Sequence, residues 1–200
     1  MLNEIVQRFF LTGSSVRWAL QKPIVEHLLG NNLGRVLDIG AGGGMYALHK
    51  HRKPNTLFVR ADAQDLPFGD KVFDTVLCTE VIEHLKNDKK AMNEMGRVLR
   101  DKGTLILSVP HPPAPYPDRF HIRVGYTLEE LEHLLQGFRI ITSASCMFFL
   151  FFLLLTFRWH FRQLFHFSPP ILPLVYIERW KKWGIPFSII VKAEKQCSSQ

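Results

Sequence analysis

Apolar residues in this chain fall into short continuous runs, separated by stretches in which they recur at helical spacing, and that alternation predicts an α/β domain. Val36, Leu37 and Ile39 form a run suited to a strand covered on both faces. Ahead of it, Pro23 suits the first turn of a helix reaching Leu29, and Gly30 suits its C-terminal cap. Gly40, Gly42 and Gly44 follow the strand as a tight loop, a short helix is expected over Tyr46 to His51, Pro54-Asn55 breaks it, and Leu57 to Ala61 reads as a strand. Asn87 to Leu99 has the spacing of an amphipathic helix closed before Gly103. Thr127 with Glu130 makes a capping box that opens a helix to Leu135, Gly137 ends it, and a strand begins at Phe138. Ser188 to Lys192 is the expected last strand.

One polar residue interrupts the first apolar run. Asp38 lies at the mouth of a buried strand, where a carboxylate is costly unless a donor or the positive end of a ligand meets it. A strand leading into glycines that let a ligand lie against the backbone, with an acid just before them, suits a nucleoside-like ligand. By letter, Gly42-x-Gly44-x-x-Ala47 also satisfies the dinucleotide fingerprint, but there the acid sits about twenty residues later, on the ribose, and a substrate domain would follow. Nothing in this chain supplies that second domain.

Leu37-Asp38-Ile39-Gly40-x-Gly42-x-Gly44 resembles the first motif of class I S-adenosylmethionine-dependent methyltransferases. Three further segments resemble that family in the same order: Phe58 to Phe68 along the adenine, Phe73 to His84 as the fourth strand and its turn, and Leu99 to Pro110 as the fifth strand. The resemblance implies a Rossmann-like, doubly wound, mostly parallel sheet with helices on both faces. It implies S-adenosylmethionine as cofactor, held by Asp38, Gly40, Gly42, Gly44, Asp62, Ala63 and Thr79. A single domain is expected, with residues 1–30 as a helical lid, 31–141 as the cofactor-binding core, and 142–200 as an apolar cap and final strand.

The chain departs from the family after the glycine loop. Only twelve residues, Met45 to Thr56, precede the next strand, where the family fits a helix, a second strand and another helix. The ribose-binding acid that normally ends that second strand is not in its usual context. Either the strand ending at Asp62 moves in beside the first strand and Asp62 holds the ribose, or a wall of the pocket is lost. A parallel crossover needs about a dozen residues, so the short link favours the first arrangement.

The acceptor side offers weaker signals. His111, His121, Arg123 and Tyr126 lie in or after a proline-rich loop, at the edge where open α/β sheets bind ligands; His111, His121 and Tyr126 are the candidate catalytic residues, and exposed loop histidines are the plainer reading of the first two. Glu80-x-x-Glu83-His84 places two carboxylates and an imidazole on one helical face. The resemblance attaches magnesium to such a cluster in some members, with His121 a fourth ligand here; the simpler expectation is a helix cap lining the cofactor site. His111-Pro112-Pro113-Ala114-Pro115-Tyr116 is read as a stiff loop. The family's nucleobase-amine device would follow the fourth strand, and here Thr79-Glu80-Val81 does.

Composition adds a compartment and a surface. The three cysteines, Cys78, Cys146 and Cys197, form neither a disulfide framework nor a metal-ligand spacing, and the N-terminus has no long apolar segment or cleavage site, so a reduced, cytoplasmic setting is expected. Cys146 to Phe157 is uncharged and holds five phenylalanines. At about 18 Å of helix it is short for a membrane span of about 30 Å; a buried cap over the acceptor, or a peripheral membrane contact through residues 146–183, are the two expectations. Seven Lys or Arg against two Glu from Arg158 onward, with Trp159, Trp180 and Trp183 among them, suit an anionic surface. The net charge of +7 would also suit RNA, but nucleic acid is the less favoured partner. These features point to methylation of oxygen or carbon on a small or lipid-linked acceptor. The alternatives are a methyltransferase-like scaffold that has lost turnover, and an RNA methyltransferase.

Overall fold

The computed structural model describes residues 13–30, 34–40, 56–58, 62–112, 121–146, 184 and 186–197. Gly42, Gly44, the expected helix over 46–51 and nearly all of the 146–183 segment lie outside them.

The first helix, α1 (Gly13–Leu29), starts ten residues before the expected point and carries Pro23 in its interior. Proline there removes one backbone hydrogen bond, but Leu20 and Val25 on either side of it, with Leu28 and Leu29, are buried, so packing carries the helix through the break. Gly30 closes it at φ +68°, its N–H donating to Glu26 O at 3.2 Å, which is the left-handed cap that glycine permits.

Six strands form one sheet in the order β2-β1-β3-β4-β6-β5: β1 (Val36–Ile39), β2 (Thr56–Phe58), β3 (Phe73–Thr79), β4 (Leu99–Pro110), β5 (Phe138–Cys146) and β6 (Ser188–Lys195). The first four are mutually parallel, and β6 runs antiparallel between β4 and β5. All of β1, almost all of β3 and the second half of β4 are buried, which explains their unbroken apolar runs. The outcome of the short link is visible in the register: Val36, Leu37 and Asp38 pair with Thr56, Leu57 and Phe58. The strand after the link therefore sits directly against β1.

Between the strands lie α2 (Asp88–Val98) and α3 (Leu128–Leu134). Asn87 caps α2 by accepting from Lys90 N at 2.9 Å. The capping box on α3 is complete: Thr127 Oγ1 accepts from Glu130 N, and Glu130 Oε2 accepts from Thr127 N. Helix α1 packs on β4, β5 and β6, while α2 packs on β4 and α3. The expected boundary at 141/142 falls inside β5, and Cys146 at its end pairs with Ser188 at the start of β6.

Candidate active site

Parallel strands place their carboxyl ends at one sheet edge, and the register aligns Ile39 with Cys78 and Thr79 with Ser108. Asp38 is fully buried there. Neither carboxylate oxygen has a hydrogen-bond partner among the described residues, and burial pushes its pKa up to about 7. A carboxylate buried without a donor is an incomplete site. Gly40 follows at φ +74°; a Cβ there would collide with the Val81 side chain, so only glycine lets β1 turn into the loop beneath the next strand's exit.

The segment after β2 is held by α2. Asp62 Oδ1 accepts from Gln64 N at 2.9 Å and from Gln64 Nε2 at 3.3 Å, Ala63 is buried, and Gln64 Oε1 accepts from Asn87 N. Further along, Arg97 forks onto both Glu94 oxygens at 2.8 Å and donates to Leu66 O and Phe68 O. Glu94 accepts in turn from Leu66 N, and hydrogen bonding from Arg97 draws its pKa down to about 2. Two charged groups on one helix thus fix the course of residues 66–68, and neither was singled out in the sequence. The signal was there as an i, i+3 pair on an amphipathic helix, but such pairs usually face solvent.

At the exit of β3, Thr79 is buried and Glu80 adopts φ +54°. Glu80 N donates to Ser108 O. Its Oε1 accepts from Gln21 Nε2 at 3.0 Å, Ser108 Oγ at 3.1 Å and Ser188 Oγ at 3.4 Å, and Gln21 Nε2 also reaches Ser188 Oγ at 2.7 Å. Gln21, Ser108 and Ser188 are fully buried. The knot draws together α1, β3, β4 and β6.

A second cluster lies one turn on, in the 3₁₀ turn Ile82–His84. Ligand atoms of Glu83, His84 and His121 all lie within 4.8 Å of one another. Glu83 is fully buried, with Oε1 3.8 Å from His84 Nε2, and the His84 and His121 rings meet edge to face at 4.6 Å. Glu80, expected beside them, is outside this cluster because its carboxylate is drawn toward α1. Magnesium does not fit what remains, since it takes oxygen ligands in near-octahedral array and here two of three donors are imidazole nitrogens.

Of the other candidates, His111 N donates to Phe187 O at 2.9 Å, and its buried Nδ1 has no partner among the described residues. Tyr126, the third catalytic candidate, is tied to α2. It is buried in the core, its hydroxyl donates to Asp88 Oδ2 at 3.0 Å, and burial followed by that carboxylate holds the phenol well above its ordinary pKa. Arg123 pairs with Asp88 at 3.1 Å and lies over the Tyr126 ring. Both residues fasten the 121–126 segment to α2.

Residues 25–107 match the methyltransferase domain family. An uncharacterised protein of Methanocaldococcus jannaschii is 31% identical over 186 residues, covering 80% of this chain and 74% of that protein. The demethylmenaquinone methyltransferase of Renibacterium salmoninarum is 28% identical over 72% of this chain and 68% of its own length. Among solved structures, an S-adenosylmethionine-dependent methyltransferase of Thermotoga maritima superposes with a TM-score of 0.60 at 19% identity, over 98% of this chain and 96% of that one. The [4+2]-cyclase SpnF reaches 0.62 at 18% identity, over 92% and 82%. The two structures speak for the fold, Rossmann-like and doubly wound, and a cyclase among them shows that the fold alone does not choose the reaction. The family match, which runs through the glycine loop and the exits of β1 and β3, does choose it: this chain is a class I S-adenosylmethionine-dependent methyltransferase.

Proposed function

We propose that the chain methylates oxygen or carbon of a small or lipid-linked acceptor, binding the cofactor through Asp38, Gly40, Gly42, Gly44, Asp62, Ala63 and Thr79. The observation that carries the cofactor site is Asp38, a fully buried carboxylate with no donor among the described residues at the mouth of the glycine turn. The acceptor class is supported by relatives whose names state theirs: a demethylmenaquinone methyltransferase, a phthiotriol/phenolphthiotriol dimycocerosates methyltransferase of Mycobacterium tuberculosis and a fatty-acid O-methyltransferase of Mycolicibacterium smegmatis.

Bound S-adenosylmethionine supplies a methyl group on a cationic sulfur, open to in-line displacement. The protein's part is mainly to position. Asp38 offers the buried negative charge, Gly40 allows close backbone approach, and Asp62, whose turn is tied to α2 through Gln64 and Asn87, takes over the ribose. His111, at the end of β4, accepts the proton if the acceptor enters as a hydroxyl.

Calorimetric titration with S-adenosylhomocysteine tests this reading. Micromolar binding by the wild-type chain, lost in both Asp38→Ala and Asp62→Ala, is the expected result. Absence of binding by the folded wild-type chain would favour the alternative of a scaffold without turnover, for which the observation is β2 itself, three residues long and following a shortened link.

A further inference from the structure

We propose that Glu83, His84 and His121 form a divalent-metal site of the zinc class, with Glu80 held out of it by the N-terminal helix. The donor set decides the ion. One carboxylate with two imidazoles is a combination found at catalytic zinc, where a further position stays open, and imidazole prefers zinc, iron or nickel over magnesium and calcium. The magnesium that the family resemblance attaches to this motif needs more oxygen, and the second carboxylate that would supply it is engaged by Gln21, Ser108 and Ser188.

The site is built rather than accidental. His121 is thirty-seven residues from His84 in the chain, yet it is fastened to the turn by several independent ties. Ile122 N and Arg123 N both donate to Glu83 O, at 2.9 and 3.1 Å. Arg123 Nε reaches Asp88 at 3.1 Å, and Tyr126 Oη donates to Asp88 and contacts Ile82 O at 3.4 Å. The backbone of one ligand thereby positions the strand of chain that carries another. A fully buried carboxylate beside two imidazoles is also a place where a dication would offset the cost of burial.

Chelator-treated, full-length protein is titrated calorimetrically with zinc chloride and, separately, with magnesium chloride. The expected result is one zinc ion bound in the micromolar range or tighter, with no magnesium heat at millimolar concentration. Glu83→Gln and His121→Ala should each weaken zinc by roughly tenfold to a hundredfold or more, whereas Glu80→Gln should leave it nearly unchanged. Zinc binding that survives both ligand variants would belong to other histidines and overturn the assignment. So would loss of zinc in Glu80→Gln, preference for magnesium, or silence from both ions. S-adenosylhomocysteine binding by the same preparations separates this outcome from that of the cofactor site, and its retention in His121→Ala shows that the variant is folded.

Discussion

Asp38 and Gly40 show how two residues of one strand exit carry opposite kinds of cost. Asp38 has a folded-state pKa of about 7 against an ordinary value of 3.8, so the folded chain holds its proton more tightly than the unfolded one. Stability from this group is complete below about pH 4, declines as pH rises, and is gone above about pH 7; at ~1.4 kcal/mol per unit the difference is about 4 kcal/mol. Thermal melts of ligand-free protein from pH 4 to 8 should therefore fall across that window, and Asp38→Asn should flatten the slope. A slope unchanged in Asp38→Asn would show that the carboxylate finds a partner in solution. At Gly40 the cost is conformational: Gly40→Ala combines a left-handed backbone with the clash against Val81, and a loss of roughly 2–3 kcal/mol is expected. Val81→Ala in the same chain should restore the steric share only, leaving about 1–2 kcal/mol that urea titration can read.

Among the elements, legibility followed sequence distance. The capping box on α3 was readable because all its parts lie within four residues, and Thr127→Ala should cost about 1 kcal/mol in denaturant midpoint. The buried runs of β1 and β4 were readable because sheet burial demands continuity. Pro23 misled, since proline suits a helix's first turn, whereas here the helix begins at Gly13 and buried Leu20, Val25 and Leu28 carry it through by packing. The Gln21 knot was beyond reach: its partners stand 59 and 167 residues away, and no local pattern distinguishes a buried glutamine from an exposed one. His121 was joined to Glu83 and His84 through the family resemblance alone; the backbone hydrogen bonds to Glu83 O that bring it there are encoded by no motif. Where the link after the glycine loop was ambiguous, crossover length was the right physical guide, because a strand can reach its neighbour across a dozen residues. The Arg97 fork makes a further prediction. Arg97→Met removes the guanidinium from Leu66 O and Phe68 O, and S-adenosylhomocysteine affinity should fall by roughly tenfold, about 1.4 kcal/mol, with little change in far-ultraviolet circular dichroism.

For the molecule as a whole, the parallel half of the sheet carries the proposed cofactor site and the antiparallel half packs beside it. No described helix is long and apolar enough to cross a membrane. The basic, tryptophan-bearing segment from Arg158 to Trp183 is proposed to meet an anionic lipid surface, and flotation with phosphatidylglycerol vesicles, abolished by high salt, is the expected outcome; flotation that salt leaves intact would point to apolar insertion instead.

The pairing of Cys146 with Ser188 has an evolutionary reading. Cys146 and Ser188 face each other on adjacent antiparallel strands, so in connectivity alone the forty-one residues between them, 147–187, take the place of a hairpin's tip. A tip can be exchanged as a cassette without rewiring the fold beneath it. Grafting a four-residue turn in its place should yield a shorter protein that still folds and still binds S-adenosylhomocysteine, and a relative's tip grafted there should import that relative's taste in acceptors.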